Sequence, residues 1–128
     1  MTKLQGLLLF MVGVINFLPV LGVLSATRLS QAYGIEVVGN DLEILLRHRA
    51  LLFGIIGGFV FYSLFVPGYQ GAAMVLAGLS MVGFLLVLWL VGGYNAALHK
   101  VMVADIVGIL CLAGALVCRY LIASDAAP

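Results

Sequence analysis

Four apolar stretches, at residues 4–24, 44–66, 71–92 and 101–123, take up most of a 128-residue chain. Each is long enough to cross a hydrocarbon core of ~30 Å as a helix rising ~1.5 Å per residue. In hydrocarbon the backbone must satisfy its own hydrogen bonds, and a helix does so within one segment. A soluble bundle of this length would need a polar face on every helix, and the interiors of these segments have none. Hydrophobic residues make up 65% of the chain and charged residues 9%, outside the range of soluble domains. The expected fold is an all-α membrane protein, an antiparallel four-helix transmembrane bundle forming one domain over residues 1–128. The segment 25–43 is its main loop, and short connections elsewhere make sequential helices antiparallel neighbours. Both termini then lie on one side. A net charge of +1 argues against nucleic acid as a partner, since no basic patch is available to offset many phosphates.

The first stretch follows Lys3 and resembles a signal sequence in outline. It runs on to Leu24 without a clean cleavage box and reads as a retained span. Pro19 lacks an amide donor and predicts a kink near its end. In the main loop, residues 28–33 suit a short interfacial helix, and Gly39-Asn40 reads as a turn. Asp41 is placed as the cap of the second span, with Glu43 in its first turn. Gly54 and Gly58 mark a close-packing face on that span, as do Gly108 and Ala115 on the fourth. Trp89, Tyr69, Tyr94 and Tyr120 fall near the expected interfaces. Cys111 and Cys118 lie on roughly one face of the fourth span and read as small packing residues. Lys3 and Arg119 fall on the side of the termini; Arg28, Arg47, Arg49 and Lys100 fall on the other. By the positive-inside rule, two against four of the six basic residues prefers termini outside the cytoplasm.

An up-down bundle gathers the polar residues of one end. Spans one and three finish where spans two and four begin, so Asn16, Arg47, His48, Arg49, Asn95 and Asp105 share a leaflet. Asp105 is the acid placed inside a span, and an ionisable group at that depth needs a partner or water. Arg47 is the expected partner, because it shares a face with Leu51, Gly54 and Gly58. Arg49 is rotated away and free to reach headgroups. His48 has no apolar role: it can donate to a carboxylate, face headgroups or approach a ligand. Two readings of the cluster stand side by side: an Arg47–Asp105 pair that locks two helices, or a ligand site built on the same groups.

Chemistry beyond binding has little support. His48 and His99 are too few for a closed zinc site. No Ser–His–Asp order, no paired Cys–His nucleophile and no glycine-rich phosphate loop after a strand is present. Catalytic and metal-ligating residues are therefore not expected.

Residues 45–54, with Arg47-His48-Arg49 at their centre, together with Val91-Gly92-Gly93-Tyr94-Asn95 and Val103-Ala104-Asp105, resemble the small four-span bacterial membrane proteins of the DoxX-like superfamily. The resemblance implies the four-span fold and an inner, cytoplasmic membrane location. Some such relatives are linked to quinone-associated redox complexes. Others are labelled phosphopantetheine adenylyltransferase, an enzyme that looks like a soluble nucleotide-binding α/β protein; this chain departs from it at the level of the fold.

Two functions are expected from these features. The first is an accessory or packing subunit of a larger membrane assembly, without intrinsic catalysis, whose partners are other membrane subunits or further copies of the chain. The alternative is a binder or carrier of an amphipathic molecule, a lipid or a quinone, through Arg47, His48 and Asp105. On a background with Cys111 and Cys118 replaced by Ala, single cysteines at Thr2, Tyr69 and Ala127 should be labelled from one side of the membrane and a cysteine at Gly34 from the other. Labelling of Thr2 and Ala127 from opposite sides would refute the four-span topology.

Overall fold

The computed structural model describes all 128 residues, and every regular element in it is helical. The order is α1 (Lys3–Phe17), a 3-10 segment (Leu18–Val23), α2 (Ala26–Tyr33), α3 (Asn40–Phe65), a 3-10 turn (Pro67–Tyr69), α4 (Gln70–Val91) and α5 (Ala96–Asp125). Four of these pieces, Lys3–Val23, Asn40–Phe65, Pro67–Val91 and Ala96–Asp125, are long and apolar enough to cross a membrane.

Local chemistry explains the boundaries. The Thr2 hydroxyl accepts from the Gln5 amide at 3.1 Å and starts α1. Pro19 falls in the first turn of the 3-10 segment, where a missing donor costs nothing; the last six residues of the first span therefore form a tighter helix and not a kinked α-helix. Ser25 caps α2, and Gly34, at φ 61°, ends it in the left-handed conformation that glycine tolerates. Helix α3 begins at Asn40, ahead of the expected start at residue 44. Gly39 precedes it without a side-chain cap, so Asp41 is not the cap: it lies in the first turn with Glu43, where acids favour the helix dipole. Asn95 caps α5, its Oδ1 accepting from the Leu98 amide at 2.8 Å.

The long helices form a compact antiparallel bundle. Its core is Leu9 and Val12 of α1, Val60 of α3, Ala73, Met74, Ala77 and Met81 of α4, and Leu112 and Ala115 of α5. Only 23 of 128 residues are buried, while Phe65, Trp89 and Val91 are 83%, 79% and 79% exposed. An apolar exterior over so thin a core is what a hydrocarbon solvent requires. Met1 reaches Gln70, and Gly71 lies beside Arg119, so both termini and the α3–α4 turn occupy one end. Helix α2 crosses the other end.

The tightest register runs between the first span and α3. Gly13 faces Phe61, Phe17 faces Gly57, Val20 faces Gly54, and Gly22 faces Ala50. The close-packing pair on α3 is therefore Gly54 with Gly57. Gly58, expected in that role, has open space around its Cβ position. A Cβ on Gly57 would lie 2.5 Å from the backbone nitrogen of Phe17, where no flexible side chain can give way. Gly57→Ala should destabilise by roughly 1–3 kcal/mol through overpacking. Gly58→Ala should be neutral, or stabilise by up to about 1 kcal/mol through helix propensity. Helical thermal unfolding in detergent distinguishes them; equal effects at the two positions would contradict the register.

Candidate functional site

The α3 register ends on a charge. Arg47 continues the strip of Ala50, Gly54 and Gly57 and so faces the first span. Its Nη2 donates to the Leu24 carbonyl at 2.9 Å, and its Nη1 lies 3.3 Å from Glu43. Leu24 follows the 3-10 segment, where carbonyls lack helical partners, and the guanidinium takes one of them. The expected Arg47–Asp105 pair is not formed. Gly54 did mark the face that carries Arg47, but the neighbour on that face is the first span and not the fourth.

Arg49 stands two residues on, ~200° around the helix, and meets different neighbours. Its Nε donates to the Tyr33 hydroxyl at 3.4 Å. Its guanidinium carbon lies 4.7 Å from the Phe53 ring centroid, 5.1 Å from Phe84 and 5.7 Å from Tyr33. Each such contact contributes ~0.5–2 kcal/mol, and together they steady the side chain at the bundle rim.

Between α2, the 3-10 segment, α3 and α5 lies a cavity of about 520 Å³. Its polar groups are Arg28, Gln31 and Tyr33 from α2, Arg49 from α3 and Asp105 from α5; its apolar walls include Leu18, Leu29, Phe53 and Val101. Asp105 is 7% exposed and shares the buried face of α5 with Gly108 and Ala115. The ion pair within 4.0 Å in this protein is Arg47–Glu43, so Asp105 lines the cavity beside Arg49 and Arg28 without a salt bridge to either.

Asn95 holds the roof. Its Nδ2 donates to the carbonyls of Tyr33 at 2.8 Å and Gly34 at 3.1 Å while its Oδ1 caps α5. One amide thus ties the end of α2 to the start of α5. Asn16 sits deeper and is buried; its Nδ2 donates to the Val12 carbonyl at 2.9 Å, and its Oδ1 has no partner. It does not line the cavity. His48 is exposed and lines a different groove, between α3 and α4. His99 stacks on Tyr94 with centroids 6.5 Å apart. No group of three or more His, Cys, Asp or Glu is placed to hold a metal ion.

Sequence reasoning missed Arg28 and Tyr33 as members of the site. The signal was the amphipathic stretch 26–33, which buries Leu29 and Tyr33 and exposes Arg28 and Gln31. It also missed a second polar cluster at the opposite end. Gln5 Nε2 donates to Gln70 Oε1 at 3.1 Å, and Gln70 Nε2 donates to the Ser63 carbonyl at 3.3 Å. Gln5, Ser63 and Gln70 are all buried and largely spend their hydrogen bonds on each other and on backbone, which makes this cluster a helix clamp.

Comparisons with protein-family models, with curated proteins and with solved structures give no match for this chain. Its class rests on its own architecture: a small, all-helical, multi-span membrane protein.

Asn95→Asp keeps the cap acceptor but puts an acid where two carbonyls now receive donors; Asn95→Ala loses both functions. Hydrogen exchange of the α2 amides should rise in both variants, whereas exchange at the start of α5 should rise in Asn95→Ala alone, in line with a lost cap of ~0.5–2 kcal/mol. Unchanged α2 protection in both would show that Asn95 does not hold the roof.

Proposed function

We propose that the protein binds an amphipathic small molecule of the lipid or quinone class in the cavity beneath α2. One observation carries this reading: Asp105 is buried, lines that cavity together with Arg28 and Arg49, and forms a salt bridge with neither. Ionisable groups at membrane depth are costly unless paired or hydrated. A bound head group with one donor for Asp105 and one acceptor for Arg49 completes both. A cavity of about 520 Å³ with mostly apolar walls and a few convergent polar groups has the usual form of a small-molecule site. Leu18, Leu21 and Val101 accommodate the apolar body, and Tyr33 offers a hydroxyl to the head.

In this reading Arg49 takes the role first assigned to Arg47, and Arg47 is structural. His48 is not part of the cavity. An accessory subunit of a larger membrane assembly is the competing function, and it makes no use of an unpaired acid.

Native mass spectrometry after gentle extraction separates the two. Wild-type protein should retain a small-molecule mass. Asp105→Asn and Arg49→Gln should each weaken its retention roughly ten- to hundred-fold, the effect of removing one charge-assisted hydrogen bond, with helical content preserved. Arg47→Ala should keep the ligand and lower the melting temperature. A wild-type protein that carries nothing, yet co-purifies in a stoichiometric complex unaffected by Asp105→Asn, would favour the accessory role.

A further inference from the structure

A second space lies on the outer surface of the bundle. A groove of about 590 Å³ runs between α3 and α4, with His48, Arg49 and Phe84 at one end and Ile56 and Leu76 at the other. We propose that this groove is a selective site for one anionic phospholipid, its phosphate on Arg49 and His48 and one acyl chain laid along the groove. The site is separate from the cavity beneath α2, although Arg49 borders both.

The charge pattern selects the head. Two basic side chains stand at one end of the groove, and its lining contains no carboxylate. Arg49 gives only its Nε to the protein, to the Tyr33 hydroxyl. Its plane is steadied by Phe53 and Phe84 at 4.7 and 5.1 Å, so its terminal nitrogens are pre-oriented. A guanidinium held this way matches two oxygens of one phosphate better than a single ammonium does.

The depth fits as well. Arg49 is the last charged residue before an uncharged run to Val66, which places it at headgroup level. From Arg49 to Ile56 the groove follows α3 for roughly 10 Å at ~1.5 Å per residue, about a third of a ~30 Å hydrocarbon core. The groove therefore holds roughly the upper two thirds of one acyl chain. Its floor on α4 is Gly83, where an added Cβ would meet nothing within 4 Å. That space is filled by no other part of the chain and is open to a lipid chain.

The test uses purified full-length protein and native mass spectrometry, titrating phosphatidylglycerol against phosphatidylcholine of the same chains. Wild type should bind one phosphatidylglycerol at least ten-fold more tightly than phosphatidylcholine. Gly83→Leu, which plugs the floor and places a better helix former there, should reduce that binding at least ten-fold. Ser80→Leu plugs the groove independently, should any single variant fail to fold. Gly58→Leu, at an open position on α3 outside the groove, should leave lipid binding intact, and so should Asp105→Asn. Equal affinity for the two lipids, or full binding in both plugged variants, would overturn the proposal. Loss on Asp105→Asn with retention in the plugged variants would overturn it too, by assigning the lipid to the cavity beneath α2. Glycerol phosphate binding as tightly as the lipid would overturn the acyl-chain part of the site.

Discussion

The approach of Phe17 to Gly57 sets the geometry of everything above it. Two backbones meet there with no side chain between them, a contact open only to glycine on α3. In lipid there is little hydrophobic drive to bring helices together, so small residues that allow close packing carry the association. From that contact the register climbs through Gly54 and Ala50, and the 3-10 segment follows α3 as far as Leu24. The tighter winding has a second effect. It brings the chain over the bundle rim, so that Ser25 can start α2 across the top.

That register separates two arginines that look equivalent in the chain. Arg47 lies on the packed strip and is consumed by it, through Leu24 and Glu43. Arg49 emerges on the far side, among Tyr33, Phe53 and Phe84. A cation among three rings keeps its charge but forms few directed bonds to protein, so its remaining donors are left for something else. What gives the two arginines such different surroundings is the ~200° between positions i and i+2 of a helix.

Most of the fold was legible in the chain. Apolar runs of membrane-spanning length give the four long helices, and short connections give their antiparallel order. The short helix at 28–33 was also visible, because its polar and apolar residues segregate. The helix starts were less so: Asp41 and Asn95 are both good capping types, but α3 already begins at Asn40, ahead of Asp41, whereas Asn95 directly precedes α5 and caps it. Depth was readable from topology for Arg47, Arg49 and Asp105, which an up-down bundle carries towards one end; it failed for Asn16, because Phe17 faces Gly57, ten residues or ~15 Å along α3 from Arg47. Azimuth was not. Which side of α3 faces which span depends on Gly57 rather than Gly58 receiving Phe17, and a run of two glycines does not say which one packs. The Gln5–Gln70 clamp was missed for a different reason: uncharged amides near helix ends resemble ordinary interfacial residues until their burial is known.

Arg49 and Phe53 form a wall common to the cavity under α2 and the groove between α3 and α4. The two spaces differ in the charge that faces this wall. On the cavity side stands Asp105; on the groove side there is no acid. The same guanidinium is therefore drawn towards Asp105 from one side and towards any anion from the other. Its stacking on Phe53 and Phe84 limits how far it can follow either pull. A bundle with a core this thin has few groups able to transmit anything between sites, and packing carries signals only through elements that can hold two arrangements. Arg49 is the side chain common to both spaces, so under the two binding proposals a head group in the groove and one in the cavity would compete for the same terminal nitrogens.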